Sequence, residues 1–509
     1  MNAGRQLPDH IEGYGPVRPY AGHCSPPDQA QARPAPVRLN GDSRSKLLDG
    51  ISLAFDACGL RDGATLSFHH HLRNGDQVLN LVLAEAARRG LRNLTVAASS
   101  LFPVHEPLVA HLRSGVVTRL HTAYMSGPVA DAVSRGVLAT PVVMTTHGGR
   151  ARAIESGELH IDVAFIAAPA ADRCGNLNGV DGPAACGPLG YAMVDAQHAA
   201  HVVAVTDHVV PYPACPIDIA QDRVDFVVKV DSIGDARGIL SGTTRPTTDP
   251  VGLRIAADAT RVIEASGLLG EDFSFQTGAG GISLAVADQL RDVMRRLGVQ
   301  GSFAAGGVTG YLCDMLEEGL FRALFDVQCF DLRAVDSYRR DPRHMAMSAS
   351  LYANPHGKGP VADQLGAMIL GAAQVDLDFN VNVSTGSDGR ILGGSGGHAD
   401  TADGSRLAIV TTTLASRAGP KLVERAGCVT TPGSTVDVVV TEAGIAVNPR
   451  REELAQRLKA TGLPVCAIGD LHRLAGRNSA PQPPHGDGRI AAVVQYRDGT
   501  VIDVVRVVK

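Results

Sequence analysis

The chain repeats itself. Ser67-Phe68-His69 aligns with Ser274-Phe275-Gln276 at an offset of 207 residues. Ile161–Ala167 (IDVAFIA) aligns with Val375–Val381 (VDLDFNV) at 214, each with a turn behind it, Cys174-Gly175-Asn176 and Ser387-Asp388-Gly389. His201–Thr206 (HVVAVT) matches Arg406–Thr411 (RLAIVT) at 205, and Val224–Val228 matches Val436–Val440 at 212. Offsets this close, in the same order, indicate an internal duplication. Within the first copy, apolar runs at Ala64–Phe68, Asn93–Ala97, Val116–His121 and Val142–Thr146 read as short buried strands. Asp76–Arg89 reads as a helix capped by Asp76 and stopped at Gly90. Strands that alternate with helices make a mainly parallel sheet covered on both faces. The fold class is therefore α/β, with two similar open, mainly parallel halves.

The segment SGTTRPTTDP near residues 240–250 reads as the linker between halves. Residues 1–44 form an arm with seven prolines and little apolar periodicity, either disordered or laid over another surface. Residues 45–245 and 246–509 then form the two α/β domains. At the C-terminus, the Asp498-Gly499 turn inside the apolar stretch Ile490–Val508 signals a β-hairpin.

Composition narrows the function. The net charge of −5 argues against a nucleic-acid-binding protein. No apolar run reaches the ~18 residues of a membrane span, and the N-terminus lacks the apolar core of a secretory signal. The nine cysteines form no C-x-x-C pair and are expected to be core thiols, Cys313 and Cys329 among them. These features describe a cytoplasmic protein of a reducing compartment. The 57 glycines provide many places for close backbone approach to a ligand.

Three glycine- or histidine-rich loops are candidates for chemistry. Phe273–Gly281 (FSFQTGAGG) leads into a helix whose apolar face carries Leu284, Ala287, Leu290, Met294 and Leu297. A strand, a glycine turn and a helix N-terminus make an anion site, with Gln276, Gly278, Gly280 and Gly281 as donors. It is neither G-x-G-x-x-G nor a P-loop, so NAD or ATP chemistry has no motif. Gly393–Asp400 (GGSGGHAD) formally matches G-x-S-x-G. A nucleophile elbow needs a strand straight into the serine and a helix after it. A hairpin turn and no clear helix are expected here, so Ser395, Gly396, Gly397 and His398 read better as a donor cluster for an oxyanion. His398 is either a side-chain donor or a satisfied loop histidine. Ser67–Asp76 (SFHHHLRNGD) resembles a metal site only superficially, because neighbouring histidines in an extended loop diverge and no carboxylate is placed beside them. No metal is expected. His69, His70, His71 and Arg73, with His147 and Arg150 after a later strand, fit an anionic substrate instead.

These segments resemble the citrate lyase alpha-chain family from about Ser45 to Lys509. The resemblance is carried by SFHHHLRNGD, Gly148-Gly149-Arg150, Ile161–Phe165 and Gly187–Ala192. It extends through Ser274–Val286 (SFQTGAGGISLAV), Phe379–Gly389 (FNVNVSTGSDG), Ser395–Ala402 (SGGHADTA) and Thr441–Pro449 (TEAGIAVNP). It implies a CoA-transferase type of fold and an enzyme that exchanges acetate for citrate on a thioester, giving a citryl thioester and free acetate. It implies a citrate lyase beta chain that cleaves the citryl thioester, and a gamma chain, the acyl carrier protein. The thiol would be a phosphoribosyl-dephospho-CoA group on that carrier, or free CoA, with no cofactor bound covalently to this chain. The complex would be oligomeric. Wider relatives form a glutamyl thioester, but Ser302–Gly310 (SFAAGGVTG) offers no acid there, and Asp314, Glu317 and Glu318 come later on an expected solvated helix. A ternary complex passing through a mixed anhydride is therefore expected. The cationic surroundings of citrate are assigned to His69, His70, His147, Arg73 and Arg150. Competing readings are a malonate-type carrier transferase, an acyl-CoA hydrolase and a non-catalytic scaffold.

Overall fold

The strands of this chain are apolar on both faces. Leu94–Ala98, Val163–Ala167 and Leu407–Thr411 are buried at every position, as a parallel sheet covered by helices requires. The computed structural model describes residues 5–27, 44–240, 246–476 and 485–509.

In the first half the central strands are β1 (Thr65–Phe68), β2 (Leu94–Ala98), β3 (Val117–Thr122), β4 (Val142–Met144), β5 (Val163–Ala167), β6 (His201–Thr206) and β7 (Phe226–Lys229). In the second they are β8 (Ser274–Thr277), β9 (Gly301–Val308), β10 (Phe321–Cys329), β11 (His344–Ala346), β12 (Ala367–Gly371), β13 (Leu407–Thr411) and β14 (Val438–Thr441). The spatial order is β4-β3-β2-β1-β5-β6-β7 in one sheet and β11-β10-β9-β8-β12-β13-β14 in the other. The topology is thus the same in both copies, as the duplication requires. Each order reverses direction beside its first strand, which is where open α/β sheets bind ligands.

One alignment is corrected. Ile161–Ala167 contains β5, whose counterpart is β12, not Val375–Val381. The latter segment is not one strand: Gln374–Asp376 and Val381–Asn382 pair antiparallel across a turn. Its true counterpart is the pair Ala170–Asp172 and Leu177–Asn178. In both copies one aspartate organises the turn. Asp172 accepts the N–H groups of Cys174, Gly175 and Asn176, and Asp376 accepts those of Asp378 and Asn380. The other expected strands form within one or two residues. The helix after β1 runs from Val78 to Arg88, with Asp76 accepting the Val78 N–H at 3.3 Å.

The C-terminal hairpin, β15 (His485–Gln495) with β16 (Val501–Val508), forms as expected but not within the second sheet. Strand β15 pairs in parallel with β4 and extends the first sheet. The last strands of the second segment therefore complete the first half. The N-terminal arm lies over this hairpin. Tyr20 donates its N–H to Val501 and stacks on Tyr496 at 4.6 Å, and Arg5 pairs with Asp503 at 2.9 Å. The remainder of the arm, residues 1–4 and 28–43, and residues 241–245 of the linker lie outside the described residues.

The halves interlock through helices with small residues at their starts. These are α1 (His147–Ser156) and α2 (Gly190–His198) from the first half and α4 (Ala349–Ala353) from the second, with α3 (Gly281–Leu297) and α5 (His398–Gly404) nearby. A Cβ on Gly148 would collide with the Ala353 carbonyl, and one on Gly190 with the carbonyls of Met347 and Val327. The hairpin tip adds a buried ionic lock. Arg497, 3% exposed, meets Asp403 at 2.8 Å, Asp363 at 3.4 Å and Asp400 at 3.7 Å, all from the second half. Removing one member of such a buried cluster strands the others, at a typical cost of ~3–5 kcal/mol. Arg497→Met is therefore expected to lower the unfolding free energy measured by chemical denaturation by that order. Asp363→Asn, at a half-exposed position, is expected to change stability by less than ~1 kcal/mol.

Candidate active site

Strand β8 ends in Gln276 and Thr277, both buried, and feeds the half-buried loop 278–280 into α3. The Gly278 N–H donates to the Ile369 carbonyl on β12 at 2.8 Å. Gly280 is the N-cap of α3 and offers no side-chain acceptor. The first N–H groups of the helix therefore lack intrahelical partners and carry its positive end. None of Gly278, Gly280 and Gly281 has a positive φ, so glycine serves here to leave space rather than to turn the chain. Along α3 the expected apolar face is buried except at Leu297, which is 45% exposed at the helix end.

The second loop faces the first half. Gly396, at φ 51°, donates its N–H to the Ala123 carbonyl and accepts that of His147 at 2.9 Å. A helix does follow the serine, contrary to expectation: α5 begins at His398. Ser395 is not placed as a nucleophile, since its Oγ accepts the Ala399 N–H at 3.3 Å. His398 resolves as a satisfied histidine. Its ring lies between Thr431 Oγ1 at 2.7 Å and the Gly371 carbonyl at 2.9 Å, and burial pushes its pKa down to about 4. It braces the loop and does not serve as an oxyanion donor. The two loops meet at Tyr352 on α4. Gln276 Nε2 donates to the Tyr352 hydroxyl at 2.7 Å, and a Cβ on Gly397 would collide with the same hydroxyl.

The wall opposite comes from the first half and is aromatic and neutral. The His70 ring stacks 4.5 Å from Tyr191 and 5.5 Å from His147. Its Nδ1 lies 2.6 Å from Ser99 Oγ, and its carbonyl accepts from Gln328 Nε2 across the interface. Burial, then the charges of Arg150 and Arg73, hold His147 down at about 3. Burial likewise holds His70 and His71 well below the ordinary histidine range. Nε2 of His147 would sit 3.3 Å from a Cβ on Gly396. Arg73 adopts φ 51°, unusual for a residue with a side chain. Its guanidinium lies between Phe102 of the first half and Phe330 of the second, at 5.1 and 4.9 Å.

The cationic cage expected from the sequence is therefore only partly present. Arg150 forms two hydrogen bonds to buried Asp195, at 2.8 and 2.7 Å, and a third to the Ala97 carbonyl. His69 sits 3.1 Å from the same carboxylate. Burial would raise the Asp195 carboxyl, but Arg150 and His69 outweigh it and hold it far below the usual range. Both side chains are committed to the first half's interior. Among the described residues the one cluster of metal-ligating side chains is Asp326, Cys329 and His344, fully buried and separate from the histidine run.

The end of β9 is also informative. Gly306, at φ 104°, and Gly307 form a bulge. A Cβ on Gly306 would collide with Gln276, and one on Gly307 with Phe330. A side chain at either position would have to displace Gln276 or Phe330, and as glycines these two positions supply no carboxylate. Glu317 pairs with Arg333, and Glu318 with Arg291 and Arg295, on the surface as expected.

The comparisons with known proteins agree with one another. The family model of the citrate lyase alpha subunit (CitF) matches residues 44–508. The chain belongs to the citrate lyase alpha-subunit family. It is 50% identical to the citrate lyase alpha chain of Escherichia coli K12 over 465 residues, 91% of each chain. A citrate lyase alpha-subunit structure from Streptococcus mutans, solved in complex with citrate, superposes with a TM-score of 0.95. It is 44% identical and covers 99% of both chains. A Pseudomonas malonate decarboxylase hetero-tetramer, solved with malonate, shares the fold at a TM-score of 0.64 and 20% identity, over 85% of this chain and 90% of that one.

Several residues of this family member's site were not singled out in the sequence. Tyr191 sits within the conspicuous GPLGYA segment, and Asp195 is a lone acid on a helix whose other buried positions are apolar, which is a usable signal. Gln328 and Arg497 carry no local signal because their roles arise from contacts between halves, and Tyr352 carries none because its partners, Gln276 and Gly397, are distant in sequence. Among the described residues no helix is long and apolar enough to cross a membrane.

The neutral histidines set the acid response. His147, His121 and His398 are lowered to about 3, 4 and 4, and His70 and His71 are lowered too. The unfolded chain, with histidines near 6.5, then binds more protons below that pH. Stability is complete above it and falls as pH drops through it, by up to ~2 kcal/mol per histidine at pH 5. Asp218 and Asp400, raised to about 6 by burial, act oppositely but are fewer. The Tm is expected to fall between pH 7 and pH 5. A Tm that rises over this range would show that these imidazoles are protonated in the native state.

Proposed function

We propose that this chain is the acyl-transfer subunit of a citrate lyase. It exchanges acetyl for citryl on a thioester and releases acetate. Supporting the reading are 50% identity over 91% of the Escherichia coli alpha chain and two glycine loops that meet at one hydroxyl. The substrates are citrate and an acetyl thioester. The thiol is a CoA-like group, phosphoribosyl-dephospho-CoA on the gamma-chain carrier or free CoA. The beta chain, the lyase partner, cleaves the citryl product.

A carboxylate is a weak nucleophile toward a thioester, so the site must hold the two together. Good orientation is worth up to ~7–11 kcal/mol, and one fixed oxyanion donor about 3 kcal/mol. The backbone N–H groups at the start of α3 are the donors, since the Gly396 N–H is already given to the Ala123 carbonyl. The neutral wall of His70, His147 and Tyr191 excludes water and positions acyl groups. Because Gly306 and Gly307 supply no carboxylate, transfer proceeds directly between citrate and the thioester, through a mixed anhydride in a ternary complex. The released thiolate then takes the citryl group.

The purified chain, given acetyl-CoA and labelled citrate, is expected to form citryl-CoA detectable by mass spectrometry. Acetate release without citryl-CoA would instead mark a hydrolase, and turnover with malonate in place of citrate a malonate-type transferase. Gly280→Asp tests the loop. A Cβ there would lie 3.6 Å from Ser283 Oγ, an ordinary contact, and Gly280 has φ −90°. Asp also caps helices slightly better than Gly, so α3 should gain about a few tenths of a kcal/mol rather than lose stability. The added carboxylate would repel anionic substrates, and citryl-CoA formation should fall by at least about tenfold. Full activity would remove the α3 loop from the site.

A further inference from the structure

Tyr352 lies where the two glycine loops meet, and its hydroxyl is incompletely used. It accepts a hydrogen bond from Gln276 Nε2 at 2.7 Å. A phenol also has one proton to donate, and among the described residues no acceptor takes it. Gln276 Oε1, in the same contact, is likewise buried without a hydrogen-bond partner. Tyr352 is 3% exposed and Gln276 4%. Buried polar atoms left this way cost stability unless a ligand completes them. Gly397 completes the setting, since any larger residue would displace the hydroxyl. Burial pushes the Tyr352 pKa up, with Gln276 opposing, so the phenol stays protonated near neutral pH.

We propose that Tyr352 is a catalytic residue whose O–H donates to the oxyanion formed during acyl transfer. The assignment rests on the transferase reading above. An oxygen of the citrate carboxylate bonds to the acetyl carbon, and the carbonyl electron pair moves onto oxygen. The Tyr352 hydroxyl hydrogen-bonds that oxygen and keeps its proton. Collapse restores the carbonyl, breaks the carbon–sulfur bond and releases the thiolate with its electron pair. The thiolate then attacks the citryl carbonyl of the anhydride, and acetate leaves. Gln276 positions the phenol, and the loop at Gly397 closes over it.

The test is citrate-dependent citryl-CoA formation by the full chain. Tyr352→Phe keeps the ring and removes the donor, together with the acceptor of Gln276 Nε2. It should lower kcat by about 10²-fold, the usual effect of losing one oxyanion donor. The KM values for acetyl-CoA and citrate should change by less than about threefold, with at most a modest fall in Tm because buried Gln276 Nε2 loses its acceptor. A kcat within about twofold of the parent, or a loss confined to KM, would overturn the assignment. Incorporating 3-fluorotyrosine at position 352 keeps the fold in hand should the Phe variant misfold. Its more acidic hydroxyl is a stronger hydrogen-bond donor and should raise kcat with KM unchanged, and an unmoved kcat would overturn the assignment. A parent chain that turns over acetyl-CoA but makes no citryl-CoA would overturn the transferase reading itself.

Discussion

The Arg497 guanidinium holds the two halves in register. It sits at the tip of a hairpin that belongs to the first sheet, yet every carboxylate it meets belongs to the second half. Asp400 passes the constraint on. Its two oxygens accept the Thr146 hydroxyl at 2.7 Å and the Gly148 N–H at 2.9 Å, which fixes the start of α1. His147, on that first turn, is then held against Gly396. A charge buried this deeply is tolerated because several acceptors surround it, and its removal leaves them stranded. The geometry of the site therefore depends on a residue about a hundred positions from one glycine loop and more than two hundred from the other.

The duplication supplies two copies of one scaffold, and the copies have taken different chemical parts. The seven central strands keep their order in both. At the end of β1 the loop is filled with histidine rings; at the end of β8 it is emptied to glycine. The filled loop builds a dry wall, and the emptied loop leaves backbone N–H groups for a ligand. Neither half encloses a site alone, because Phe330 and Gln328 of the second half pack on Arg73 and His70 of the first.

Much of this was legible in the sequence because parallel strands are written as continuous apolar runs. The same property misled one alignment. Short apolar segments resemble one another, and the 214-residue offset matched hydrophobicity across two different elements. The safer anchors were Asp172 and Asp376, whose side chains shape equivalent turns. Charge was the harder inference. His69 and Arg150 look like anion donors in a linear sequence, and nothing local announces that Asp195 will engage both. His398 was ambiguous for the same reason, since its acceptor and donor come from Gly371 and Thr431. Tyr352 sits in a short unremarkable segment, and its hydroxyl gains a context only where two loops distant in sequence, at Gln276 and Gly397, meet within the second half.

A neutral wall suits the proposed chemistry better than a cage of cations. Tight ionic binding of a polyanion would stabilise bound substrate and transition state alike, and such uniform binding lowers KM without raising kcat. It would also hold the attacking carboxylate in strong ion pairs that weaken it as a nucleophile. Hydrogen-bond donors fixed in a dry site act differently. They are oriented before reaction and matter most where charge newly appears, on the carbonyl oxygen. Sequestering Arg150 on Asp195 keeps a full positive charge near the wall without offering it to the carboxylate. That charge also helps keep His147 neutral, so the ring beside Gly396 remains an uncharged surface against which an acyl group can be held.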